Sequence, residues 1–245
     1  MNRTLCKALS PSWALTRNPV STASQAKLSQ LRSQNTTPRE TRALVEEIAS
    51  ILGVEAFAKG LTVAKTGTDR TPLGVEYETS TIDPADLALV PILRSGLGMV
   101  DAINALLPIA VPIYHLGLFR EPVGLQPVEY YNNLPFHKSA LSPASPASTD
   151  PTANTAAAPL AILLDPIIAT GATADAAIQT LRDWGVQRVI MLSVLASAEG
   201  VARVAGSWEG VQIWVGAVDE SVNEKGMIVP GVGDIGDRLF VAIGK

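Results

Sequence analysis

A single cysteine, Cys6, stands among 245 residues, so an intramolecular disulfide framework and a cysteine-cluster zinc site are both excluded. Two histidines, His115 and His137, leave little material for a histidine-based metal centre. No apolar run is long enough to span a bilayer as a helix. Positive charge is not in excess: 19 Lys and Arg face 23 Asp and Glu, for a formal charge of −4 and a pI near 5.2. A global basic footprint for duplex nucleic acid is therefore missing. What is present is apolar: 47% hydrophobic residues and a mean hydropathy of +0.23, enough for a large core. The expected class is a soluble globular protein of a reducing compartment.

Two stretches stand apart in composition. The first 39 residues hold no Asp or Glu but carry Arg3, Lys7, Arg17, Lys27, Arg32 and Arg39 among many hydroxyl side chains. Such a leader is compatible with an organelle transit peptide or with a disordered tail, and residues 1–25 are assigned to it. Cytoplasmic location is the expectation, organelle targeting through the leader its alternative. The second stretch, 139–158, is an Ala/Ser/Pro/Thr-rich surface insertion with Asp150 as its one charge, read as flexible and as an inert spacer. It interrupts what is expected to be a single domain, 26–245.

Order is expected from Thr37, where Thr37-Pro38-Arg39-Glu40 spells a capping box with proline at the first helical position. Leu44, Ile48, Ile51 and Leu52 share one helical face, and Gly53 is the expected stop. Strands are predicted at 87–93, 111–119, 160–164, 189–195, 211–218 and 239–243. Helices are predicted at 96–107, 173–184 and 199–204, with Gly185 closing the second. Apolar strands alternating with helices imply a doubly wound α/β fold, its sheet mostly parallel and covered on both faces.

Ligands of such sheets bind beyond the carboxyl ends of the strands. After 160–164 comes Asp165-Pro166-Ile167-Ile168-Ala169-Thr170-Gly171-Ala172-Thr173, a carboxylate followed by a small-residue turn into a helix. Free N–H groups and the helix dipole there favour a phosphate, aided by the Thr170 and Thr173 hydroxyls. The other reading is an ordinary strand–turn–helix with Thr173 as N-cap. Arg94 follows 87–93 and Arg120 follows 111–119, two planar forks suited to phosphate oxygens, although Arg120 has Glu121 and Glu129 as alternative partners. His115 reads as a core residue. Gly231-Val232-Gly233-Asp234-Ile235-Gly236 spells G-x-G-x-x-G, but a dinucleotide fingerprint needs a strand before it and a helix after it, and 239–243 reads as a strand. Its glycines instead point to close backbone approach to a ligand.

The segments Val90-Pro91-Ile92-Leu93-Arg94-Ser95-Gly96-Leu97-Gly98, Gly117-Leu118-Phe119-Arg120, Pro127-Val128-Glu129-Tyr130-Tyr131, the 164–171 turn and Ile228-Val229-Pro230-Gly231 through Phe240 resemble uracil phosphoribosyltransferases, in that family's order. The resemblance covers roughly 26–138 and 159–240. It implies a type I phosphoribosyltransferase fold with a C-terminal base-binding hood. The implied reaction is pyrimidine salvage: uracil and phosphoribosyl diphosphate (PRPP) give UMP and pyrophosphate, with Mg²⁺ bound mainly through PRPP. Carried over, the segment from Asp165 to Thr173 would hold the ribose phosphate and hydroxyls, and Arg94 and Arg120 the diphosphate. Ile228, Gly233, Asp234 and Ile235 would read uracil, with Asp234 also touching PRPP. Arg94, Arg120 and Asp234 would be the catalytic set. The resemblance further implies a homodimer or homotetramer and GTP as an allosteric activator, and no nucleic-acid or membrane partner.

Several residues depart from the family's pattern. Ala172 and Thr173 stand where Gly and Ser are usual, so a positive φ at 172 would cost on the order of 1 kcal/mol. Met227 replaces a usual tyrosine, and Val241-Ala242 a usual Gly-Thr. The Tyr130–Pro135 region with the insertion that follows it is the expected mobile loop. An impaired member serving as a binding module is the alternative reading, with an RNA-binding operon regulator disfavoured by the acidic pI.

Overall fold

The computed structural model describes residues 21–121, 124, 126–135 and 158–241. Cys6, His137 and nearly all of the 139–158 insertion lie outside them. Two helices open the chain, α1 (Thr22–Leu31) and α2 (Pro38–Gly60). The Thr37 box forms as read: Glu40 N–H donates to Thr37 Oγ1 at 3.3 Å, and Thr37 N–H donates to Glu40 Oε2 at 2.8 Å. α1 corrects the leader boundary, since residues 22–25 are already helical and Ser24, Leu28 and Leu31 are buried. Only two large apolar side chains mark that face, too few for a periodic signal.

Gly53 does not stop α2. It is buried two turns before the end, where a Cβ would stand 2.6 Å from Leu106 and 2.7 Å from Ile103. A missing side chain there sets how closely α3 approaches; it is not a terminator.

A two-stranded antiparallel ribbon follows, β1 (Thr62–Arg70) and β2 (Glu76–Asp83). Both of its faces are largely exposed, so no apolar alternation announces it. The central sheet is built from β3 (Leu87–Leu93), then α3 (Leu97–Asn104), β4 (Leu116–Arg120), β5 (Pro127–Asn132) and β6 (Leu160–Leu164). Next come β7 (Ile167–Ile168), α4 (Ala172–Trp184), β8 (Arg188–Ser193), β9 (Leu195–Ser197), α5 (Ala198–Ser207) and β10 (Val211–Val215). β11 (Val218–Asp219), β12 (Ser221–Val222), β13 (Ile228–Val229) and α6 (Ile235–Phe240) complete the described chain.

The strand order is β10-β8-β6-β3-β4-β5, parallel except for the antiparallel edge pair β4–β5. Alternation along β3 and β6 sorts the core. Leu87, Leu89, Leu160, Ile162 and Leu164 face α1, α2, α3 and α6. Ala88, Val90, Ile92, Ala161 and Leu163 face α4 and α5. The expected doubly wound parallel architecture is what forms.

Three expected strands are shorter or broken. Residues 111–115 make one bridge, Leu89 to Ile113, and β4 begins only at Leu116; Pro112 has no N–H to continue a ladder. His115 therefore precedes the strand, half-buried, its N–H donating to Asn133 Oδ1 at 2.6 Å. The runs 189–195 and 211–218 each break, at Val194 and at Gly216-Ala217. β7, β9 and β11 form a second parallel set in the register that β6, β8 and β10 lead into. Of the predicted 239–243 strand, Leu239 and Phe240 instead end α6, Val241 caps it, and 242–243 lie outside the described residues; Asp234 caps the helix start, its Oδ1 accepting Asp237 N–H at 3.0 Å. Ile235 and Leu239, four apart, are buried as a helix would bury them.

Candidate active site

The break between β6 and β7 falls on Asp165-Pro166. Asp165 is thereby left at a strand end with its side chain buried. Ser95 Oγ donates to its Oδ1 at 3.2 Å and Ile167 N–H reaches the same oxygen at 3.5 Å. Burial pushes the Asp165 carboxyl up to about 7, against the Ile167 and Ser95 hydrogen bonds and the nearby charge of Arg120.

Beyond β7 the chain turns at Ala169-Thr170-Gly171 into α4. Gly171 is left-handed, at φ 77°, and a Cβ there would stand 2.7 Å from the Gly200 carbonyl oxygen. No positive φ occurs at 172, so Ala172 carries no backbone strain and the conditional cost does not arise. Gly171 is the N-cap and Thr173 the second helical residue, which corrects the alternative of Thr173 as cap. Thr170 Oγ1 accepts Ala172 N–H at 3.4 Å and steadies the turn.

Opposite this turn stand the two arginines. The Leu93–Arg94 peptide is cis, and the Arg94 side chain is about half exposed. Its Nη2 lies 3.3 Å from Asp237 Oδ1. Arg120, the last residue of β4, does not pair with Glu121 or Glu129; its Nη1 donates to the Gly226 carbonyl at 3.0 Å. Glu129 is engaged instead by Thr180 and Asn132.

Over the strand ends lies a hood made of the β12–β13 antiparallel pair and the 230–236 segment. One cavity of about 680 Å³ runs between hood and strand ends. Its lining includes Arg94, Arg120, Asp165, Ile167, Ile168, Ala169, Thr170, Gly171, Thr173, Ile228, Gly233, Asp234 and Ile235. Pro166 and Ala172 are buried behind it, Pro166 accepting Leu195 N–H at 3.0 Å. The cavity also gathers Met227, at the position of the family's usual tyrosine, and Tyr130, together with Ser95 and Phe119, which had no assigned role there. Ser95 beside Arg94 on a strand-to-helix turn was the legible signal. Phe119 and Tyr130 pair across β4 and β5 at 6.0 Å between ring centroids. Of the expected mobile loop, residues through Asn132 are the end of β5, the Pro135 carbonyl accepts Trp184 Nε1–H at 2.9 Å, and 136–157 lie outside the described residues.

The hood is tied to the helical layer from behind. Arg32 grips both oxygens of Asp219 with its two terminal nitrogens at 2.8 and 2.6 Å and donates to the Gly231 carbonyl, while Gly231 N–H donates to Asp219 at 2.9 Å. Burial alone would raise the Asp219 carboxyl, but the Arg32 and Gly231 hydrogen bonds hold it below the usual carboxylate range. Arg238 donates to the carbonyls of Leu31, Val232 and Ser33. The G-x-G-x-x-G run belongs to this hood. A helix does open at Ile235, within its last two residues, contrary to one ground for rejecting a dinucleotide site, but the strand before it is antiparallel to β12 and builds no βαβ unit.

A parallel doubly wound sheet, a carboxylate leading into a turn at a helix start, and a hood over the strand ends together define a type I phosphoribosyltransferase. A family model described as uracil phosphoribosyltransferase matches residues 19–242. The chain is 39% identical over 216 residues to the uracil phosphoribosyltransferase of Bacillus cytotoxicus, covering 88% of this chain and 93% of that one. It is 38% identical over 216 residues to the enzyme of that name from Alkaliphilus metalliredigens, with the same two coverages. The solved AQ2163 protein from Aquifex aeolicus superposes with a TM-score of 0.77 at 28% identity, over 91% of this chain and 96% of that one. The chain belongs to the uracil phosphoribosyltransferase family.

Proposed function

We infer that this cavity transfers the phosphoribosyl group of PRPP to uracil, giving UMP and pyrophosphate, the salvage reaction of the family. The observation that carries the reading is the meeting, in one cavity, of Asp165 with its turn, Arg94 and Arg120, and the Ile228–Ile235 backbone. The N–H groups at the start of α4 and the Thr170 and Thr173 hydroxyls receive the 5-phosphate. Asp165 accepts from the ribose hydroxyls. Arg94 and Arg120 take the diphosphate, and the Ile228, Gly233 and Ile235 backbone pairs with the polar edge of uracil.

As the bond from ribose to pyrophosphate lengthens, positive charge grows on the sugar and negative charge on the leaving group. Guanidinium groups already aimed at the diphosphate stabilise that charge without reorganising. A base read by N–H and C=O groups discriminates strongly, because cytosine would leave buried polar groups unpaired. The carboxylates on the cavity wall are Asp165 and Asp234, and among the described residues no cluster of three or more His, Cys, Asp or Glu could hold an ion alone. That donor set fits Mg²⁺ held chiefly by substrate oxygens, with Asp234 and Asp165 as protein partners. Bound there, the ion would neutralise charge on the departing pyrophosphate.

The test is an assay with purified protein, uracil, PRPP and Mg²⁺, following UMP and pyrophosphate, with cytosine as control. Uracil-specific UMP formation is expected, and Arg94→Ala and Asp234→Asn should each lower turnover more than tenfold, the asparagine retaining the α6 cap. Near-normal kinetics in both variants would sink the site assignment. PRPP binding without product would favour the binding-module reading.

The chain from α1 onward acts as one domain, with 139–157 as an inert spacer ahead of the buried Ala158, in the cytoplasm, where fluorescent fusions with and without residues 1–20 should distribute alike. Among the described residues no helix is long and apolar enough to cross a membrane. GTP activation is tested by repeating the assay with GTP. The chain assembles as a homodimer or homotetramer, and its β1–β2 ribbon bears exposed Val63, Leu73, Val75 and Tyr77, a surface suited to a second copy.

A further inference from the structure

Both arginines assigned above to the diphosphate also touch the hood. Arg94 reaches Asp237 in α6 at 3.3 Å, and Arg120 reaches the Gly226 carbonyl at 3.0 Å. These two points bracket the segment that faces the base. Each contact uses one terminal nitrogen of a planar group with five N–H donors, so most of each fork stays available for phosphate oxygens.

The same molecule shows what a carboxylate that fully occupies an arginine looks like. Asp219 takes both terminal nitrogens of Arg32 in a bidentate, end-on pair, at 2.8 and 2.6 Å, and is nearly buried. Asp237 meets Arg94 through a single oxygen and a single nitrogen, with side chains 35% and 46% exposed. The first geometry consumes the guanidinium, whereas the second orients it and leaves it open.

We propose that Asp237 is a positioning residue for Arg94, holding its fork toward the diphosphate and so linking the diphosphate half of the cavity to the hood that reads the base. The proposal rests on the reading of Arg94 as a diphosphate ligand. Two consequences follow from the geometry. Without Asp237 the half-exposed Arg94 must lose its rotamer freedom when the ligand arrives, which weakens binding. With Asp237 present, a ligand that settles the hood also settles Arg94, so base and diphosphate tighten each other by one common factor.

The experiment is calorimetric titration of pyrophosphate with Mg²⁺, with and without saturating uracil. In the wild-type protein uracil tightens pyrophosphate. In Asp237→Ala pyrophosphate binds about threefold to fivefold more weakly, the size of one exposed ion pair, and the uracil enhancement falls toward one. Asp237→Asn, which keeps an acceptor oxygen, retains part of both. A merely structural loss in α6 would weaken both ligands while leaving the enhancement intact, and that result would overturn the proposal. So would unchanged or tighter pyrophosphate binding in Asp237→Ala, the mark of a carboxylate that competes with the ligand. In an Arg94→Ala background, Asp237→Ala should change pyrophosphate binding no further, and an equal effect there would also refute the link. Failure of the wild-type protein to bind pyrophosphate at all would overturn the site reading, and the proposal with it.

Discussion

Asp165 sits at a strand end where burial and function oppose each other. Its carboxyl is pushed up to about 7 by desolvation, above the ordinary value of 3.8. Between those values the folded state holds a proton that the unfolded chain releases, so this residue's contribution to stability falls as pH rises and is fully lost above about 7. Asp165→Asn keeps the oxygen that accepts from Ser95 and Ile167 and removes the charge. The variant should melt higher than the wild type at pH 8, by an amount on the order of a few kcal/mol in stability, with the difference shrinking toward pH 5. Thermal melts across that range check it. The same variant should lose more than tenfold in turnover if Asp165 binds the ribose hydroxyls. Asp165, Arg94 and Arg120 were legible in the sequence because a charged side chain directly after an apolar run has no role in a core. Ser95 and Asp237 were not assigned roles there, because what matters about them is which residue lies across the cavity, 70 and 143 positions away.

At the scale of elements, the hood depends on two arginines reaching it from different directions. Arg32 leaves the end of α1 and binds Asp219 and Gly231, and Arg238 reaches back to the α1–α2 turn. Arg32→Ala leaves a nearly buried carboxylate short of its main partner and should cost about 2 kcal/mol. Because Asp219 is held below its ordinary value, that stabilisation is present above about pH 4 and is lost as pH falls through the folded value; the variant and the wild type should converge in acid. A larger rise in KM for uracil than for PRPP is the functional readout, since Gly231 lies beside the base-facing backbone. Helices with strong local signals were read well: the Thr37 box and the Gly185 terminus of α4, at φ 106°, both form as expected. Weak or two-sided patterns misled. α6 is six residues long, and a run that short cannot be told from a strand by periodicity. The β1–β2 ribbon left no apolar alternation at all, since neither face is buried in this chain.

At the scale of the whole molecule, the core lies on both faces of one sheet, and Ala158, the last residue of the 139–158 stretch, already belongs to it. Deleting 140–157 should leave the melting temperature within about 3 °C of wild type, under the ~1 kcal/mol that such a shift represents in a chain this size; a drop of many degrees would show that the segment packs. The ribbon is the other outlying part. Replacing Leu73 and Val75 with aspartate should lower the assembly state in sedimentation without lowering the melting temperature of the dissociated subunit, because both side chains are exposed. An unchanged sedimentation profile would remove the ribbon from the interface.

Local chemistry decided much of this protein before any folding: where helices start, which runs are buried strands, and which charged residues end them. These are short-range properties, written in spacing and in side-chain type. The tertiary structure alone decided that β6, β8 and β10 break together beneath the cavity. It also turned Gly53 from a stop into a contact point for α3 and brought Asp237 to Arg94 and Gly226 to Arg120. Those outcomes depend on atoms distant in the chain meeting at a few ångströms, and no local pattern carries that distance.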